Sequence, residues 1–155
     1  MDNGLDMPRV AAIYDKTAAF YDSVVADLQA SAKLVAIEVL DRRPRERFLE
    51  VGAGTAWVFE RIVAVSGVEG AIASDVAAGM LEVSRQRLQD EAGIRHPPLM
   101  LADTTALPFV DGAFDCLLVT YTLEVLPSDA MLPALRECLR VLRPVRRCIA
   151  LNLTP

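Results

Sequence analysis

A doubly wound α/β fold, its parallel sheet covered on both faces, is what this sequence predicts, and three observations lead there. From position 47 onward, short and almost unbroken apolar runs alternate with stretches of helical period. Such runs suit strands buried on both faces, which occur in parallel sheets. The first run stops at Gly52-Ala53-Gly54, and a helical pattern resumes at once. Ahead of the alternation, residues 8 to 40 read as wholly helical, with Pro8 suited to a first helical turn.

Taken in order, Arg47 to Val51 is the first strand, and Trp57 to Val65 is a helix with Val58, Ile62 and Val63 at helical spacing. Ala71 to Ser74 is the second strand, followed by a helix from Gly79 to Asp90 that carries Met80, Leu81, Val83 and Leu88. Leu99 to Ala102 is the third strand. Cys116 to Thr120, within FDCLLVTYT, is a fully buried fourth. A helix near Asp129 to Leu142 puts Leu132, Leu135, Leu139 and Leu142 on one stripe, and Cys148 to Leu153 is the fifth strand. Right-handed crossovers connect such units. With no internal repeat or low-complexity linker, the expectation is a single domain, with a helical segment over 1–45 and an α/β core over 46–155.

Bulk properties narrow the function classes. The 155 residues are 53% hydrophobic, and the mean hydropathy is +0.31. No apolar run reaches the roughly 18 residues of a membrane span. The start, MDNGLDMPRV, lacks the basic-then-apolar pattern of a signal peptide, so a cytoplasmic protein is the default. A net charge of -5 argues against a nucleic-acid partner, which needs concentrated Lys and Arg. The one basic cluster, Arg42-Arg43-Pro44-Arg45-Glu46-Arg47, reads as a solvated helix end and linker. Cys116, Cys138 and Cys148 are widely spaced, and His96 is the only histidine, so neither a metal site nor a disulfide framework is supported. Cys116 and Cys148, in apolar runs, read as small core residues.

The glycine turn is the candidate ligand site. Glycine loses the most backbone freedom on folding, so two of them at a strand-to-helix junction mark a tight turn or a close approach. In parallel sheets, ligands bind beyond the carboxyl ends of the strands, where the next helix presents unpaired N–H groups. A purely structural turn is the alternative. A dinucleotide fingerprint would need glycine at position 57, and Trp57 stands there, which disfavours a nicotinamide-dependent oxidoreductase.

The stretch Glu50-x-Gly52-x-Gly54-x-Ala56 resembles motif I of the class I methyltransferases that use S-adenosylmethionine, with Ala56 in place of a third glycine. "ASDVAAGMLEVSRQRL" is similar to the family's second strand and helix. Asp75 falls there where an acidic residue grasps ribose hydroxyls; helix capping is its other reading. In "MLADTTALPFVDGAFDCLLVTYTLEVL", Asp103 falls where relatives bind the adenine amino group, beside Thr104, and Thr120 and Tyr121 end strand four at the pocket rim. "LRECLRVLRPVRRCIAL" resembles the fifth unit, with Val145 and Arg146 replacing two glycines, so this turn must take another shape. Upstream, Tyr14-Asp15-Lys16-Thr17-Ala18-Ala19-Phe20-Tyr21-Asp22 resembles the leading helix of small-molecule methyltransferases acting on quinone precursors and phospholipid headgroups. Tyr14 and Tyr21, seven residues apart, share a helix face. In relatives the segment lids the cofactor; an aromatic stripe packing on the sheet is the alternative.

The resemblance implies a Rossmann-like methyltransferase fold with strands six and seven missing, and S-adenosylmethionine as cofactor. It implies a cofactor site at Tyr21, Glu50, Gly52, Ala53, Gly54, Thr55, Asp75, Val76, Met80, Asp103, Thr104 and Thr120. Methyl transfer to a small molecule, by positioning and in-line displacement, follows from it. No general base is identified, because His96 lies before a strand, at the wrong end of the sheet. The acidic surface, helical lid and apolar bias lean towards a small, lipophilic acceptor. Without further strands, CIALNL would be an apolar edge, so dimerisation through it or poor solubility is expected. A non-catalytic cofactor-binding module or assembly partner is the competing reading.

Overall fold

The computed structural model describes residues 6–153, without the side chains of residues 24–28. The outermost parts of the two segments 1–45 and 46–155, including the first residues of MDNGLDMPRV, lie outside the described residues. The chain opens with one long helix, α1 (Met7–Leu40), of 34 residues. The Asp6 carboxylate caps it by accepting the Arg9 N–H at 2.8 Å, and Pro8 lies in the first turn, where its missing N–H costs nothing. It stops at Asp41, in the left-handed region at φ 44°, whose N–H donates back to the Ile37 carbonyl. Among the described residues no helix is long and apolar enough to cross a membrane.

Strands and helices then alternate: β1 (Phe48–Val51), α2 (Trp57–Ser66), β2 (Ala71–Asp75), α3 (Ala78–Asp90), β3 (Leu99–Leu101), β4 (Phe114–Thr120), α4 (Met131–Val141) and β5 (Leu142–Leu151). The sheet order is β3-β2-β1-β4-β5, and every pair is parallel. The chain works outward from β1 to β3 and then returns to β4 on the other side. The β1/β4 junction is therefore the topological switch point, where the loops after the two strands diverge and leave a crevice.

Both faces of the sheet are covered, which is why β1 and β4 read as continuous apolar runs. Phe48, Cys116 and Leu118 pack with Ala36 and Leu40 of α1, Phe59 and Ile62 of α2 and Leu88 of α3. Phe48 and Phe59 stack at 5.9 Å between ring centroids, a contact contributing about 0.5–1.5 kcal/mol beyond burial. Leu49, Val51, Leu117 and Val119 point the other way, onto Ala134, Cys138 and Val141 of α4. Glu50 shares the parity of Phe48 and so points beneath α2 instead of into solvent.

Four expectations need correction. The buried stripe of α4 is Ala134, Cys138 and Val141; of the four leucines expected there, Leu142 is buried and Leu135 packs against the core, while Leu132 and Leu139 are exposed. The buried line thus lies one residue ahead of the leucine stripe, on Ala134, Cys138 and Val141. Strand β5 begins at Leu142, well ahead of Cys148. Leu142 pairs with Phe114, an irregularity follows, and Val145 turns outward at φ 58°. An ion pair from Arg143 to Asp115 (2.7 Å) fixes this bulge where glycines were absent. Cys148 is exposed on the outer strand and is not a core residue, whereas Cys116 and Cys138 are buried. Arg42, in the supposedly solvated cluster, is buried. Its guanidinium donates to Ser66 Oγ at 2.8 Å and to the Glu69 carbonyl at 2.7 Å, closing the end of α2.

Candidate functional site

The loop after β1 adopts the conformation that its composition allows. Gly52, Gly54 and Ala56 have φ of 67°, 56° and 59°. Glycine enters this left-handed region without strain, whereas an alanine pays about 1–2 kcal/mol. The two glycines are needed for different reasons. A Cβ on Gly52 would lie 2.2 Å from the Thr122 hydroxyl oxygen, whereas a Cβ on Gly54 would meet nothing within 4 Å. Gly52 is close-packed against the segment after β4, and Gly54 faces open space.

Three neighbours hold the loop. Asp75, at the end of β2, accepts the Gly54 N–H at 2.8 Å, and Ser84 of α3 donates to the Gly54 carbonyl at 2.6 Å. Thr55 donates its hydroxyl to Asp22 of α1 at 2.7 Å. Asp22 also pairs with Arg87 of α3. One helical step of seven residues earlier, Asp15 accepts the Gly79 N–H at 2.7 Å. A Cβ on Gly79 would lie 3.0 Å from the Asp15 carbonyl oxygen, so α1 and α3 touch backbone to backbone there. In the repeated Tyr-Asp pattern, Asp15 and Asp22 thus moor α1 across the carboxyl ends of the strands. Tyr14 and Tyr21, their ring centroids 6.0 Å apart, line the space beneath.

That space has two lobes. The larger, about 510 Å³ and part open to solvent, is lined on one side by Gly52, Gly54, Asp75, Val76, Met80 and Thr104. Met7, Val10, Tyr14 and Tyr21 of α1, with Tyr121, Thr122, Val125 and Leu126 after β4, form the opposite wall. The smaller, about 310 Å³, lies between Glu50, Ala53, Thr55, Lys33, Trp57 and Val58. Tyr21, Gly52, Gly54, Thr120 and Tyr121 line both lobes, so the two adjoin across these residues. Eleven of the residues anticipated from sequence lie in these walls, and Asp103 does not. Its Oδ1 accepts the Thr105 N–H and hydroxyl, both at 2.8 Å, which turns the carboxylate back on its own loop. The Asp75 carboxylate is tied to backbone on both sides: Oδ1 accepts the Ala77 N–H just ahead of α3, and Oδ2 accepts the Gly54 N–H of the glycine loop.

Electrostatics follow burial. Glu50 is 1% exposed, and its Oε2 is buried with no hydrogen-bond partner among the described residues. Burial pushes its carboxyl up to about 8; the Lys33 ammonium opposes the rise and Asp75 adds to it. Burial raises Asp75 too, against the N–H donors of Ala77, Gly54 and Val76. Burial lowers the Lys33 ammonium, and Glu50 opposes that. Tyr14 is pushed up to about 12 by burial and by the charges of Tyr21, Asp75 and Glu124. Its hydroxyl therefore stays protonated at neutral pH and can donate a hydrogen bond but not act as a base.

Sequence reasoning missed Met7, Val10, Lys33, Thr122, Val125 and Leu126. None of them belongs to a motif that the sequence marks as a binding site. Tyr121, expected from the sequence at the pocket rim, lines both lobes and sits at φ 52° directly after β4, a strained conformation of the kind that clusters at functional sites. A second depression, lined by His96, Gly70 and Phe114, lies at the amino ends of the strands, away from the glycine loop.

Residues 48–145 match the methyltransferase-domain family. The chain is 31% identical over 151 residues to the ubiquinone/menaquinone biosynthesis C-methyltransferase UbiE of Vibrio cholerae, an alignment covering 93% of this chain and 56% of that protein. Identity to UbiE of Pseudomonas paraeruginosa is 33% over 153 residues, covering 93% and 57%. The chain thus spans a little over half the length of these curated relatives. Among solved structures, the 4+2 cyclase SpnF superposes with a TM-score of 0.79 at 19% identity, covering 90% of this chain and 57% of that one, a likeness of fold.

Proposed function

The chain belongs to the S-adenosylmethionine-dependent methyltransferases, and on that premise we propose that the two-lobed hollow binds this cofactor and presents its methyl group to a small, lipophilic acceptor. The cofactor brings a nucleoside at one end, an amino acid at the other and a sulfonium between them. The observation that carries the reading is Gly54, whose missing side chain leaves open space where the Asp75 lobe and the Glu50 lobe meet. Three further features support the fit: an orphaned carboxylate oxygen on Glu50, the second lone pairs on the Asp75 oxygens, and a cation on Lys33. In this reading Asp75, Val76, Met80 and Thr104 hold the nucleoside, Gly52, Ala53, Gly54, Thr55 and Thr120 form the central cradle, and Glu50 lies at the amino-acid end. Asp103 supports the loop that carries Thr104.

The bound cofactor supplies an electrophilic methyl on a sulfonium, and the leaving electron pair returns to that sulfur. The protein's share is positioning and exclusion of water. Residues 1–45 act as the lid and residues 46–155 as the binding core. Met7, Val10, Val125 and Leu126 give the larger lobe an apolar wall, and Tyr14 and Tyr21 offer hydroxyl donors beneath the lid. Identity to C-methyltransferases of quinone biosynthesis supports a quinone-precursor type of acceptor. The same proposal includes a cytoplasmic setting and a homodimer formed along β5. A second reading, cofactor binding without methyl transfer, is favoured by one observation: burial raises the Tyr14 and Tyr21 phenols beneath the lid, so both stay protonated and neither serves as a base.

The test is incubation of the purified protein with S-adenosylmethionine labelled in its methyl group and a panel of phenolic quinone precursors, followed by mass spectrometry. Labelled acceptor supports the enzyme reading. Cofactor binding with no transfer to any acceptor supports the second.

A further inference from the structure

The depression at the amino ends of the strands has the composition of a second ligand site. It measures about 920 Å³, part of it open to solvent. Val68, Ile72, Pro98, Phe109 and Phe114 give it an apolar floor. Among the described residues, Arg47 and His96 are the only titratable side chains in its wall. Phe109 and Phe114 meet edge to face, their ring centroids 5.0 Å apart. Phe109 is only half-buried, so part of its ring stays available to a third aromatic group.

Arg47 and His96 are both exposed, and among the described residues neither side chain joins an ion pair or a hydrogen bond. Asp115 does not answer the Arg47 charge. Its Oδ2 accepts the Arg47 backbone N–H at 3.0 Å, while Oδ1 pairs with Arg143 at 2.7 Å and Arg146 at 3.6 Å. Backbone holds both candidate donors in place. Arg47 directly precedes β1, and its stem passes over Gly70, where a Cβ would lie 3.4 Å from Arg47 Cγ. His96 leads into Pro97 and Pro98, whose fixed φ stiffens the segment. The Pro98 carbonyl accepts the Ala73 N–H of β2 at 3.0 Å.

An apolar floor beside two donors, with no acid in the wall, suits a flat hydrophobic anion. We propose that this depression binds an aromatic monocarboxylate, its ring on Phe109 and Pro98 and its carboxylate held by the Arg47 guanidinium and the His96 imidazole. The planar guanidinium matches the two oxygens of a carboxylate, and a charged acceptor makes each hydrogen bond stronger than a neutral one would. The site is independent of the cofactor reading, since it lies at the opposite end of the sheet from Gly52 and Gly54.

His96 is the only histidine, so its imidazole C–H signals are unambiguous reporters in NMR of the whole chain. The experiment titrates 2-naphthoate, and separately its neutral isostere 2-naphthamide, at one fixed pH. Naphthoate should shift the His96 imidazole and the amides of Gly70, Ala71 and Ala113 saturably, with a Kd on the order of 0.1–1 mM. Naphthamide should bind about 10-fold more weakly, the size of one charge-assisted hydrogen bond. Arg47→Gln keeps the stem over Gly70 and should abolish most of that preference, leaving naphthamide affinity within about twofold. Arg95→Gln removes an equal charge next to His96 without lining the depression, and should retain the preference. Should Arg47→Gln fail to fold, the comparison of the two ligands on the native protein decides alone. Equal binding of acid and amide overturns the inference, as does an unchanged preference in Arg47→Gln or an equal loss in Arg95→Gln. Shifts centred on Gly52 and Tyr121, or no saturable shift at His96, overturn it as well.

Discussion

Thr122 fills the space in which a side chain on Gly52 would lie, its hydroxyl oxygen 2.2 Å from the Cβ position. This contact joins the loop after β1 to the segment after β4 and closes one side of the hollow. Gly52→Ala must push Thr122 aside and hold alanine at φ 67°. It should lower stability by about 2–4 kcal/mol, from overpacking and backbone strain together, as read from the urea midpoint. Gly54→Ala has open space around it, so its cost should be the smaller strain of about 1–2 kcal/mol. Cofactor affinity should nevertheless fall, since the new methyl enters the hollow. Equal losses of stability in the two variants would contradict the distinction.

The mooring of α1 gives a second prediction. Asp22→Ala removes the acceptor for Thr55 and one of the carboxylates paired with Arg87, beside Glu60 and Glu91. Loss of a charged hydrogen-bond acceptor of this kind costs about 1–3 kcal/mol. Amide hydrogen exchange should quicken across α1 and the glycine loop, while β4 and α4 stay protected. Exchange that rises evenly throughout the chain would show that the helix is not a separately moored lid.

Glu50 predicts a pH dependence of opposite sign to that of an ordinary ion-paired carboxylate. Its folded value, about 8, lies above the ordinary 4.5. Between those limits the unfolded chain has released a proton that the native chain still holds. Stability from this group is therefore intact at acid pH, falls as pH rises from about 4.5, and levels off above about 8, a loss on the order of a few kcal/mol. Glu50→Gln should remove that slope in denaturant titrations run across pH 4.5 to 8. A variant as pH-dependent as the native chain would show that Glu50 ionises normally.

Strand β5 predicts association. Among the described residues it pairs only with β4, and Cys148 and Ala150 on its outer face are exposed. Light scattering should give a mass that rises with concentration towards that of a dimer. A constant monomer mass at high concentration would contradict pairing along this edge.

The legible parts of the fold were those decided locally. Apolar runs identify β1 and β4 because both of their faces are buried, and Gly52 and Gly54 mark the loop because no other residue takes its backbone without strain. What escaped depended on partners distant in sequence. The start of β5 at Leu142 follows from Arg143 pairing with Asp115, in a stretch whose charges read as a loop. On α4 the buried line runs through Ala134 and Cys138, which leaves Leu132 and Leu139 of the expected leucine stripe exposed. Lys33 resembles any solvated helix lysine until Trp57 and Tyr121 are brought around it. Asp103 is engaged locally instead, its Oδ1 accepting the N–H and hydroxyl of Thr105 two residues later.

The central claim, that the cofactor occupies the hollow beyond the carboxyl ends of β1, β2 and β4, is tested most directly by amide NMR of isotope-labelled protein titrated with S-adenosylhomocysteine. The account predicts saturable shifts centred on Gly52, Gly54, Thr55, Val76, Thr104 and Tyr121. Shifts confined to the depression around Gly70, His96 and Phe114 at the opposite end of the sheet, or none at all in folded protein, would contradict it.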